Sequence, residues 1–86
     1  MKIADFDFDT IARSCPERIA IQDEDGCLTY GALDRNSNRI ARFIDGLGLA
    51  KTAPIGVMTG RNHHYVTAIL GVLKAGHEFV PLDPAI

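Results

Sequence analysis

No apolar run in this 86-residue chain approaches the roughly eighteen residues that a membrane-spanning helix needs. The opening stretch, Met1-Lys2-Ile3-Ala4-Asp5-Phe6-Asp7-Phe8-Asp9, is acidic and lacks the apolar centre of a secretory signal. Cysteine is scarce. Cys15 and Cys27 fit neither a redox nor a zinc spacing, so both read as reduced thiols of a cytoplasmic protein. Neither sign of charge dominates, and a formal net charge of −2 gives no reason to expect a nucleic acid or an anionic membrane as partner. Acids outnumber bases seven to three in residues 1–30, and bases outnumber acids six to four thereafter. That mild dipole reads as a solvated surface.

What is present is globular: 47% hydrophobic and 23% charged residues, enough for a packed core. The length suits one small domain or part of a larger one, and about two thirds of the unfolded surface can be buried. Asp7 or Asp9 can cap a short helix over residues 10–14, with Pro16 beyond its end. Residues 18–22 read as a strand, Asp23-Glu24-Asp25-Gly26 as a turn, and residues 27–29 as the returning strand of a hairpin.

Thr29 is the expected N-cap of a long helix from Tyr30 to about Gly46. Leu33, Ile40, Ala41, Ile44 and Leu47 form its buried stripe, and Arg35, Arg39, Arg42 and Asp45 face away. Residues 54–58 form a short apolar strand, and Asn62 caps a helix over residues 63–75 that Gly76 ends and Lys74 favours through the dipole. That helix is apolar almost all round and expects cover on more than one side. Residues 79–82 are the last strand. Strand, helix and strand over residues 54–82 make a βαβ unit, so its strands should be parallel and its crossover right-handed. Parallel sheets are normally covered on both faces, so the expected fold class is α/β, the edge portion of a larger layered sheet.

Two stretches carry a resemblance. Leu28-Thr29-Tyr30-Gly31-Ala32-Leu33 is similar to the first core motif of the adenylate-forming enzymes. Leu73-Lys74-Ala75-Gly76-His77-Glu78-Phe79-Val80-Pro81-Leu82-Asp83-Pro84 is similar to the second. Asn38-Arg39-Ile40-Ala41 and Arg61-Asn62 also fall where that superfamily places similar residues. The likeness runs from Phe8 to Pro84, about nine tenths of the chain, and most resembles the amino-acid-activating adenylation domains of nonribosomal peptide synthetases. The departures lie outside that family's chemistry. Ala32 replaces a Glu and removes half of a capping box, Gly31 adds a helix-propensity cost of up to about 1 kcal/mol, His63-His64 replace Pro-Glu, and His77-Glu78 replace two small residues.

The resemblance implies that residues 1–86 are the N-terminal part of an adenylation domain. The complete enzyme would use ATP and Mg to form an acyl-adenylate and load a carrier-protein thiol. It also implies that the phosphate loop, the aromatic-acidic motif near adenine, the ribose-binding Asp and the catalytic Lys lie downstream of Ile86. No residue of this chain is therefore assigned to catalysis, to a cofactor or to a metal, and the segment alone is expected to be inactive. Its expected partner is the remainder of the domain. The alternative is a non-catalytic module that docks onto a complementary adenylation core; a weaker third reading is a stand-alone domain with an unrelated small-ligand site.

Sharper readings of single residues give way to plainer ones. Gly46-Leu47-Gly48 lacks the third glycine of a dinucleotide fingerprint and reads as a helix stop. Asp23-Glu24-Asp25-Gly26 lacks the distal Glu of a calcium loop and reads as a hairpin turn. His63 and His64 point about 100° apart on a helix and read as a solvated helix start. Asp5, Asp7 and Asp9 could share a strand, but they read as flanking two anchoring phenylalanines and supplying a cap. Arg61 lies where α/β sheets often bind ligands and reads as bracing its loop; Asp83 reads as capping backbone amides between prolines.

Overall fold

A computed structural model describes residues 2–3, 6–58 and 62–82. Two very short strands, β1 (Lys2–Ile3) and β2 (Phe6–Asp7), pair antiparallel ahead of helix α1 (Phe8–Ser14). Strands β3 (Ile19–Asp23) and β4 (Gly26–Thr29) form the expected hairpin. Helix α2 (Tyr30–Gly46) follows, then β5 (Ile55–Val57), helix α3 (His63–Lys74) and β6 (Phe79–Pro81). β5 and β6 are parallel, with Ile55 opposite Phe79 and Val57 opposite Pro81, as a βαβ unit requires. None of the described helices is long and apolar enough to cross a membrane.

Capping chemistry sets the helix starts. Asp7 accepts from the Thr10 amide at 3.2 Å and from its hydroxyl at 2.8 Å. Asp9 instead lies within α1, so Asp7 and Asp9 do not share a strand, while Asp5 lies outside the described residues. Thr29 accepts from the Ala32 amide at 3.1 Å, and Asn62 from that of His64 at 3.0 Å. Gly76, at φ +84°, takes the left-handed turn that ends α3.

The core is organised by α2 against α3. Phe8, Ala12, Leu33 and Leu70 form one apolar cluster, with Ile21, Leu28 and Tyr30 packed against it. Ile44, Val57 and Val72 form the second, flanked by Ile40, Ile55, Tyr65 and Phe79. Full burial of a side chain such as Phe8 contributes about 2–3 kcal/mol. Between the clusters the helices approach closely at Gly71: a Cβ there would overlap Ile40 Cγ2 and stand 2.6 Å from Ile40 Cβ and 3.1 Å from the Ser37 carbonyl oxygen. Ser37 is completely buried and satisfies its hydroxyl on the Asp34 carbonyl at 3.1 Å.

Three expectations change. Leu47 is not part of the buried stripe. It is the C-cap of α2, where the chain turns away from the core, and it is 53% exposed. The interior places go instead to Gly31 and Ser37, small residues that let neighbouring backbone approach. Gly31 is thus more than a propensity cost: its amide bonds the Pro16 carbonyl at 2.9 Å, and a Cβ would lie 3.0 Å from that oxygen. The first hairpin strand begins one residue later than expected and includes Asp23, which matters to the site below.

Candidate functional site

Among the described residues, chemistry-bearing side chains gather in two polar clusters and an open groove. The first cluster lies between α1, α2 and α3. Lys74, on the last turn of α3, donates to Asp34 Oδ1 at 2.7 Å, to Asn38 Oδ1 at 2.9 Å and to the Asp34 carbonyl at 3.4 Å. Its ammonium also stands 5.0 Å from the centre of the Phe8 ring. Lys74 was expected to act through the helix dipole; the structure adds a half-buried ion pair to α2. Asp34 and Asn38 sit four residues apart on one helix face, and that spacing, opposite the one cation of an apolar helix, is the signal that could have revealed the cluster.

The groove beside it has a volume of about 550 Å³ and is lined by Asp9, Asn38, Ala41, Arg42, Leu73 and Lys74. Arg13 and Asp34 border its continuation. Lys74 is the half-buried cation of its wall, and its charge is already matched by Asp34.

The second cluster joins the hairpin tip to the start of α3. Asp23 Oδ2 accepts from the His63 amide at 2.8 Å and lies 3.0 Å from His63 Nδ1. Asp23 Oδ1 accepts from the Asp25 amide at 2.9 Å, and Asp25 Oδ2 from Asn62 Nδ2 at 3.3 Å. The His63 ring bond, and then the His63 amide, hold the Asp23 carboxyl below its ordinary range. Thr10 does the same for Asp7, first through its hydroxyl and then through its amide. His63 is therefore not a solvated helix start. It is half-buried because the hairpin tip reaches it, whereas its neighbour His64 is exposed.

His77 is buried, and its Nδ1 donates to the Ala53 carbonyl at 2.9 Å, tying the approach to β5 to the turn after α3. Cys15 and Cys27 are free thiols. Arg61 and Asp83 lie outside the described residues.

No group of three or more His, Cys, Asp or Glu among the described residues is placed to hold a metal ion. The cluster cation, Lys74, is held by Asp34 and Asn38 rather than presented to a phosphate. Among the described residues, Lys74 with Asp34 and Asn38 braces α3 against α2.

The AMP-binding enzyme family matches residues 8–86. Gramicidin S synthase 2 of Brevibacillus brevis is 45% identical over 69 residues, a stretch that spans 80% of this chain and 2% of that protein. Tyrocidine synthase 2 of Brevibacillus parabrevis is 40% identical over 79 residues, 92% of this chain and 2% of that protein. Among solved structures, VinN superposes with a TM-score of 0.84 at 28% identity, over 92% of this chain and 21% of its own. FmoA3, a nonribosomal peptide synthetase, gives 0.86 at 29% identity, over 92% of this chain and 8% of its own. The chain thus spans a small part of each protein that it resembles.

Proposed function

The chain belongs to the AMP-binding enzyme family, and we propose that it serves as a scaffold portion of an enzyme that activates an amino acid, or another carboxylic acid, as its acyl-adenylate and loads it onto a carrier-protein thiol. The observation that carries this reading is the match of residues 8–86 to the family, together with superposition on a nonribosomal peptide synthetase over 92% of the chain. Structures of the neighbours are described as a complex of VinN with L-aspartate and as FmoA3 bound to alpha-methyl-L-serine-AMP, which supports an amino acid as the substrate class.

Within that enzyme this chain contributes position rather than chemistry. Gly71 brings α3 against α2, and Lys74 bonds Asp34 and Asn38 across the same interface. Together they hold the β5–α3–β6 unit as one sheet edge. ATP and Mg belong to the complete enzyme and would be held by residues other than those described here. A protein in which this chain is joined to the remainder of an adenylation domain should catalyse amino-acid-dependent exchange of pyrophosphate into ATP. Absence of exchange across a full panel of amino and aryl acids would overturn the reading.

A second reading, a module that docks onto a complementary adenylation core, is favoured by one feature. Met58, Val80 and Leu82 are 60%, 41% and 44% exposed along a sheet of only two described parallel strands. A chain that runs on size exclusion as a single cooperatively folding monomer would count against it.

A further inference from the structure

The tip of the β3–β4 hairpin and the first turn of α3 are 40 residues apart in sequence at Asp23 and His63, yet three polar contacts join them. Asp23 Oδ2 receives both the backbone amide and the ring nitrogen Nδ1 of His63, and Asp23 Oδ1 receives the Asp25 amide. Asp25 in turn receives Asn62, whose own oxygen caps α3 at His64. The His63 carbonyl accepts from the Thr67 hydroxyl at 2.7 Å, so the residue is held from both ends. An ionised carboxylate only accepts, and Nδ1 at 3.0 Å from it must therefore carry the proton. A free imidazole in water favours the opposite tautomer, with the proton on Nε2. The hairpin imposes the rarer form.

We propose that Asp23 and His63 form a latch that seats the hairpin on α3, locks His63 as its Nδ1–H tautomer, and opens when the carboxylate, not the imidazole, is protonated. The groups facing the His63 ring explain that asymmetry. Asp23 contacts it directly, Asp25 stands behind Asn62 on the same hairpin, and on α3 itself the His64 ring lies with its centre 4.2 Å away. Protonating His63 leaves Nδ1–H in place and adds attraction to Asp23. Protonating Asp23 removes the charge that both His63 donors use. The hydrogen bonds that hold the Asp23 carboxyl below its ordinary range set the acid side of the window. The latch is complete above the unfolded carboxyl value of about 4 and is lost as pH falls through the lower folded value.

Long-range proton–nitrogen correlation on the nitrogen-15-labelled 86-residue chain tests this directly. At neutral pH His63 should show a protonated Nδ1 and a bare Nε2, and His64 the reverse. Asp23→Ala should return His63 to the Nε2–H form and raise the exchange rate of the His63 amide at least tenfold, with the α2 amides unchanged. Asp23→Asn, which keeps the shape but not the charge, should mimic the acid form, with fast His63 amide exchange already at neutral pH and no further loss of protection in acid. An Nε2–H tautomer at His63 in the native chain would overturn the latch. So would an Asp23→Ala chain whose tautomer and His63 exchange match the parent.

Discussion

The seam between α2 and α3 and the seam between the hairpin and α3 are built on opposite plans. At the first, Gly71 lies against Ile40 and Ser37 so closely that one added methyl has no room, and two apolar clusters flank the contact. At the second, the tip is joined by partly exposed carboxylates and a histidine, with the side chains of Asp23 and His63 at 21% and 19% exposure. Close packing fails all at once when volume is added, whereas a half-screened polar seam loosens by degrees with pH and salt. The difference teaches which part of the chain sets the fold and which part trims it.

The largest expected effect lies in the packed seam. Gly71→Ala should cost about 3 kcal/mol of unfolding free energy, since the new Cβ must displace Ile40 and the Ser37 backbone; the midpoint of urea unfolding reads it. A cost under about 1 kcal/mol would mean that the helices are not locked there. Next comes Lys74→Ala, which leaves Asp34 and Asn38 without their shared donor and strips the cation from Phe8. It should cost roughly 2 kcal/mol by the same measurement. Thr29→Ala removes only the cap bond to Ala32 and should cost about 1 kcal/mol. The smallest effect belongs to the polar seam. Asp23 and Asp7 both titrate below their ordinary range, so their contributions are intact above about pH 4 and fall away as pH drops below it. Amide exchange at His63 and Thr10 should therefore accelerate in acid before that of the α2–α3 core. Simultaneous loss everywhere would erase the distinction between the seams.

Much of the fold was legible because it is written in local chemistry. Asp7, Thr29 and Asn62 each announce a helix start, Gly76 announces a stop, and the spacing of Leu33, Ala41 and Ile44 marks a buried face. The parallel pairing of β5 with β6 followed from the βαβ order. What stayed hidden depends on partners distant in sequence. Gly31 reads as a cost until Pro16 is brought against it, and nothing local marks Ser37 as interior until Gly71 meets its carbonyl. Leu47 satisfied the helical period but falls one residue past the helix, where periodicity no longer controls direction. His63 looked solvated because nothing local predicts that Asp23 reaches it. The family, by contrast, was carried by two contiguous motifs, which is why it could be recognised without any site residue.

On the proposed reading, this chain braces an adenylating enzyme and supplies none of its reacting groups. Pyrophosphate–ATP exchange by the purified 86-residue chain, assayed with Mg and a panel of amino acids, tests it most directly. No exchange above the protein-free blank is predicted. Amino-acid-dependent exchange that survives repurification and is lost with Lys74→Ala would contradict the claim and move Lys74 from brace to chemistry.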